Sequence, residues 1–143
     1  MTGVAPGMEH DERGRLRDLS TSLMRLHRLL LDRERGLYED RHGAIPTREL
    51  FSLVLNDEQF AWLRSLSTLI AQIDEVVDAD EAVAPETVQS AFREAHRLLK
   101  SGDPSDFRDR YHAALQDSPD IVMAHADVSR VLRSASDPPA PAL

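Results

Sequence analysis

The chain has 143 residues, the length of one ordinary domain. Its hydrophobic share of 41% and charged share of 29% are those of a globular protein and exclude wholesale disorder. A formal charge of −8 disfavours general affinity for nucleic acid or anionic membranes, and the absence of cysteine excludes disulfides, thiolate zinc sites and cysteine nucleophiles.

No apolar run approaches the roughly 20 residues of a membrane span. Lys100 is the only lysine among 17 basic residues, and this arginine and alanine richness suggests a GC-rich bacterial genome. Residues 1–10 show no basic region followed by an apolar stretch, so a cytoplasmic location is expected.

Residues 1–9 read as a loose leader, residues 10–133 as a single helical domain and residues 134–143, rich in proline, as a disordered tail. The first helix is expected from about Asp11 to His42, roughly 45 Å long, stopping at Gly43. Its seam is Leu16, Leu19, Leu23, Leu26, Leu30 and Leu37, with Arg33 in the skipped heptad position. Met24, Leu29, Leu31 and Tyr38 widen that stripe. Gly14 and Gly36 each weaken the helix by up to about 1 kcal/mol.

A short connector helix follows from Thr47, read as its N-cap, to Leu55, with Leu50, Phe51, Val54 and Leu55 as its apolar side. Asn56-Asp57-Glu58-Gln59 then signals a start, with Asn56 as cap and Gln59 reaching back. The helix from Asp57 to about Ala79 is the most apolar. Leu63, Leu66, Ile70, Ile73 and Val77 form one seam, and Trp62, Leu69 and Val76 repeat beside it, which places this helix at the centre of the bundle.

Pro85 opens the next helix, which is expected to end at Gly102, with Val88, Ala91, Phe92, Ala95, Leu98 and Leu99 inward. Asp103-Pro104 starts a helix to about Asp117 with Phe107, Tyr111, Ala114 and Leu115 inward. Ser118-Pro119 starts the last, to about Arg133, with Ile121, His125, Val128 and Leu132 inward and Val122 and Val131 in support. Residues 104–133 as one helix kinked at Pro119 is the alternative. The expected fold class is therefore all-α: a four-helix-bundle-like single domain with a short connector helix and a final helix pair broken at Pro119.

Chemistry-bearing signals are few. Di-iron bundles use Glu-x-x-His pairs, and none occurs. Asp109-x-x-His112 has the right separation in a single copy. His125 replaces an aliphatic residue in the last helix's inner stripe, so it reads as a core histidine bonded to one polar partner such as the Tyr111 hydroxyl. His27 and His112 flank their seams, as does His96, while His10 and His42 lie near segment ends. Arg33 interrupts an apolar seam and is expected to snorkel to solvent, pair with a facing acid or bind an anionic ligand.

The acidic run Asp74, Glu75, Asp78, Asp80, Glu81 and Glu86 lacks an intervening base and, with Val83 where a calcium loop needs glycine, reads as a hydrated helix end, or alternatively as an acidic docking patch. The eight arginines of residues 11–42 are nearly balanced by seven acids, so that helix reads as an ion-paired face rather than a nucleic-acid stripe. No phosphate-binding glycine loop, nucleophile elbow or dinucleotide fingerprint is present.

Phe60-Ala61-Trp62-Leu63-Arg64-Ser65-Leu66-Ser67, continuing to Ile73-Asp74-Glu75, resembles a segment of small bacterial all-helical proteins of unknown function. Leu26 to Leu31 and Ala124-His125-Ala126-Asp127 are similar to the same group. The resemblance implies a helical fold across most of residues 15–133 and no activity, cofactor or site.

The sequence thus leads to a non-enzymatic module acting through protein–protein contacts with an unidentified partner or as a homodimer. The stripe on residues 16–38 is the expected self-association surface. No cofactor, nucleic-acid or membrane partner is expected. The alternative is a metal- or small-ligand-binding bundle, with His27, His125, His112, Asp109 and Arg33 as candidate ligands.

Overall fold

The computed structural model describes residues 6–101 and 104–136, the side chains of 6–11 and 135–136 excepted. These residues form seven helices and no strand: α1 (Pro6–His42), α2 (Thr47–Asn56), α3 (Glu58–Ala61), α4 (Arg64–Asp78), α5 (Pro85–Lys100), α6 (Asp106–Asp117) and α7 (Pro119–Ser136). The protein is all-α.

The long helix α1 is the central strut. Leu16, Leu19, Leu23, Leu26 and Leu30 are at most 1% exposed. They are covered by α4, α5 and α7 of the same chain, with α7 and α4 making the most extensive contacts. The 57–79 segment, expected at the centre, packs chiefly on α1 and α5, whereas α1 is packed by α4, α5 and α7 together. Of the 16–38 stripe, the seam from Leu16 to Leu30 is thereby spent inside the chain, and Met24 and Leu37 stay exposed. Side-chain pairs fix the direction of packing. Ser20–Asp74 and Glu34–Trp62 run α4 antiparallel to α1, while Arg25–Asp127 and Arg33–Asp117 do the same for α7.

Several boundaries differ from expectation. Residues 6–9, read as leader, are the first turn of α1, where Pro6 stands at the position that needs no N–H. Residues 1–5 lie outside the described residues. Gly43 ends α1 with φ +86°, and its N–H donates to Glu39 O at 2.8 Å, the left-handed cap that glycine adopts without strain. Thr47 is helical rather than a cap, because the Pro46 carbonyl already receives the Glu49 and Leu50 N–H groups. The Asp57 carboxylate, not Asn56, caps α3 by accepting from Gln59 N at 2.9 Å, while Asn56 donates back to Ser52 O.

The single helix expected over 57–79 is broken after Ala61. Leu63 N donates to Phe60 O and Leu66 N to Leu63 O, each three residues back. Such a tightened turn eclipses residues three apart.

Ser101 is extended and ends α5 one residue before the expected Gly102. Gly102 and Asp103 lie outside the described residues. Ser105, not Asp103, caps α6, its hydroxyl accepting from Arg108 N at 3.0 Å. Ser118 is extended with its hydroxyl accepting from Ile121 N, so α6 and α7 are separate helices and not one kinked rod. α7 continues to Ser136. The rest of the expected tail, 137–143, lies outside the described residues. No described helix is long and apolar enough to cross a membrane.

Candidate functional site

The skipped position of the α1 seam belongs to Glu34 rather than Arg33. Glu34 lies four residues after Leu30, in line with the leucine stripe, and is 4% exposed. Its carboxylate accepts from Trp62 Nε1 at 3.1 Å and from Gln59 Nε2 at 3.0 Å, and the same amide donates to the Glu34 carbonyl. Gln59 and Trp62 are three apart, and the tightened turn between α3 and α4 sets both on the side facing α1. Trp62 then packs edge-on against Phe107, with ring centroids 5.2 Å apart.

Arg33 does not run to solvent alone. It bonds Asp117 at 2.6 Å and reaches Glu34 at 3.4 Å, tying the α6–α7 junction to α1. Both carboxylate oxygens of Glu34 are engaged within the chain. The cluster is a register lock joining α1, α3 and the α6–α7 corner. The signal that could have found it is the four-residue spacing Leu26, Leu30, Glu34.

His125 faces Tyr111, with Nδ1 2.6 Å from the hydroxyl. Burial pushes the Tyr111 phenol well above its ordinary range. It lowers the His125 imidazole, helped by the charges of Lys100 and His112. The pair belongs to the stack Trp62, Phe107, Tyr111, His125 that runs through the α6 side of the core. His27 is half-buried on α1, and burial lowers its basicity too. His112 and Asp109 are exposed on α6. The candidate ligands His27, His125, His112 and Asp109 are not gathered: among the described residues no group of three histidine or carboxylate side chains stands together as a metal would require.

The acidic run after α4 has a base that its own sequence does not supply. The Arg13 guanidinium of α1 donates to the carbonyls of Val77, Ala79 (3.0 Å) and Glu81 (2.6 Å), and reaches Val76 O at 3.4 Å. These are the orphan carbonyls of a helix end, where a cation is favourable. The segment is thereby a capped helix terminus. Asp74 accepts from the buried Ser20 hydroxyl at 2.5 Å.

The outside of the molecule offers open grooves and one bare helix face. The largest groove, about 630 Å³, lies between α4 and α5 over Leu16, Leu69, Ile73, Val76 and Ala91, with a charged rim that includes the Glu94–Arg97 ion pair.

Helix α2 has no buried residue. Phe51 is 68% and Leu55 70% exposed, the most exposed large apolar side chains among the described residues. Of the apolar side read from the sequence, Leu50 and Val54 are half-buried while Phe51 and Leu55 are bare, because α2 packs mainly on the four-residue α3. Elsewhere the expected inward residues Leu37 and Val122 are 40% and 46% exposed. Leu37 lies past Arg33, whose partner Asp117 precedes α7, so no long helix covers it.

The α2 segment is nevertheless held. Arg35 Nη2 donates to Ile45 O at 2.7 Å and Ile45 N to Glu39 Oε2 at 2.8 Å, fixing the turn before it. Arg64 Nη2 donates to Leu55 O at 3.0 Å at its far end. No family model matches this sequence, and comparison with curated proteins and with solved structures finds no match.

Proposed function

We propose that this chain works through protein contacts, as an accessory or regulatory module, and that the outer face of α2 is its contact surface. The observation that carries the reading is the exposure of Phe51 and Leu55 on a helix that has no fully buried residue. Neighbouring exposed apolar residues on a helix fixed at both ends are a surface formed before binding, which lowers the ordering cost of association. The polar clusters support a contact role by their closure: Glu34, Trp62, Gln59 and Arg33 satisfy one another, and His125 is satisfied by Tyr111.

The test places a photo-crosslinking phenylalanine derivative at Phe51 and, as control, at the exposed Arg133 of α7, in lysate of the source cells. Discrete adducts from position 51 that are absent from position 133 are expected. Identical products at both positions, or none at 51, would overturn the reading.

A further inference from the structure

We infer that the groove where α5 meets α1 and α7 binds a small phosphate monoester with an apolar body. The groove holds about 400 Å³. Its floor is Val88, Phe92 and Leu132, all buried, and its exposed rim carries Arg15, Arg93 and His96 with the carboxamide of Gln89. The site is separate from the α2 face and does not depend on the contact reading.

Gln89, Phe92, Arg93 and His96 follow the i, i+3, i+4, i+7 spacing within the unbroken helix α5, so they share one strip of it. Leu132 and Arg15 complete the groove, because the antiparallel packing of α7 on α1 returns residue 132 to the end of α1 that carries Arg15.

The charges of this groove are all of one sign. No described carboxylate lines it, in a chain of formal charge −8. The acids nearest in sequence are turned elsewhere. Glu94 pairs with Arg97 over the neighbouring α4–α5 groove, which Glu86 also lines. Glu12 and Asp18 stand three residues either side of Arg15, and neither lines the groove or pairs with that arginine. Arg13, Arg33 and Arg35 are spent on the fold, but Arg15, Arg93 and His96 make no hydrogen bond or ion pair with another described residue.

A concave site lined by one sign of charge concentrates its counter-ion. Two permanently charged guanidiniums, each able to donate two parallel N–H bonds, match a dianion better than the single charge of a carboxylate. A phosphate monoester carries about −1.5 to −2 at neutral pH, and His96 keeps one N–H donor in either neutral tautomer. The apolar floor beneath these donors suits an apolar body attached to the phosphate. The surrounding negative charge opposes a polyanion such as nucleic acid. Because the rim is exposed, the attraction is screened and binding is weak and salt-dependent.

Titration of the isotope-labelled full chain with phenyl phosphate, followed by amide chemical shifts, tests the inference. Saturable shifts are expected around residues 88–96, 15 and 132. Arg15→Gln and Arg93→Gln should each weaken binding about threefold and together about tenfold, whereas Arg28→Gln, which removes the same charge from an exposed position further along α1, stays within about twofold. The floor belongs to the core, so its part is read from the ligand: inorganic phosphate should bind at least about threefold more weakly than phenyl phosphate. Benzoate, with the same ring and half the charge, should also bind at least about threefold more weakly. No saturation by about 20 mM, shifts scattered over the surface, or indifference to the two groove arginines overturns the inference. Equal binding of inorganic phosphate overturns the apolar body, and equal binding of benzoate overturns the choice of a phosphate.

Discussion

Glu34→Leu is the sharpest probe of the register lock. The substitution keeps the bulk of the side chain, so the cavity cost of Glu34→Ala is largely avoided and the polar term is isolated. It strips the acceptor from the indole N–H of Trp62, itself 5% exposed, and one of two acceptors from the half-buried Gln59 amide, which keeps the main-chain carbonyl of residue 34.

An orphaned buried donor costs about 1–3 kcal/mol, and Trp62 carries that loss because Gln59 retains the residue-34 carbonyl. For a domain of this size that lowers the melting temperature by roughly 3–12 °C. Glu34→Gln keeps one carbonyl for Trp62 but presents an amide donor to Gln59 or Arg33, and should cost about 1–2 kcal/mol.

Urea unfolding followed by far-ultraviolet circular dichroism measures the loss. Trp62, the chain's single tryptophan, reports the same site by fluorescence. Trp62→Phe on the Glu34→Leu background removes donor and acceptor together, so the double variant should recover at least about 0.5 kcal/mol of the summed single losses. A Glu34→Leu loss under about 0.5 kcal/mol, or strict additivity of the pair, would refute the lock.

Arg13→Met leaves the α4 terminus without its guanidinium cap and should cost about 1–2 kcal/mol, with faster amide exchange confined to residues near 76–83. Gly36→Ala adds a methyl with no atom within 4 Å inside α1, and should stabilise by about 0.5–1 kcal/mol in the same urea assay. The imidazoles of His27 and His125 are less basic in the fold than their ordinary 6.5, because burial opposes their charge.

The unfolded chain therefore binds protons first as pH falls. Stability is full above about pH 6.5 and declines below it, and the combined His27→Gln and His125→Gln variant should show a flatter fall between about pH 7 and pH 5. Replacing residues 47–56 with an eight-residue Gly/Ser linker, whose reach of roughly 26 Å exceeds the length of α2, should leave the unfolding free energy within about 1 kcal/mol. A larger loss would mean that α2 supports the core.

The helices were legible because burial imposes a period. Leu16, Leu19, Leu23, Leu26 and Leu30, then Leu66, Ile70, Ile73 and Val77, then Ile121, Val128 and Leu132 repeat at helical intervals and all are inside, with Leu29, Leu31, Val76 and Val131 partly buried beside them. Proline after an extended residue was equally plain at Pro85 and Pro119. What periodicity cannot show is which partner covers a stripe.

The 57–79 segment is more apolar than α1, yet α1 is the strut, since length lets it run past α4, α5 and α7 together. Nor can a hydrophobic count recognise Glu34, whose place in the core depends on donors 25 and 28 residues away in sequence. The Tyr111–His125 pair was readable because fourteen residues separate two inward positions on adjacent short helices. Phe51 and Leu55 misled for the opposite reason: they have the pattern of a buried face without a neighbour to bury them.

Chain closure does not require α2. α1 ends two turns beyond Glu34, and α3 begins beside that same residue, so a connection within the usual range of about 2–8 residues would return the chain to its place. Instead residues 43–57 intervene, and ten of them form a helix. A helix this short is marginal in water by itself, and only the half-buried Leu50, Leu53 and Val54 offset that cost from within it.

It is kept in shape by the Arg35, Glu39 and Arg64 bonds at its two ends, all made by residues outside it. Three side chains of the domain are thus committed to presenting a helix whose Phe51 and Leu55 stay in water. Contact with another molecule is the one circumstance in which those residues would lower the free energy of the system. The proposed role of α2 follows from that imbalance, and the Gly/Ser replacement separates it from folding: the domain should persist while association through position 51 is lost.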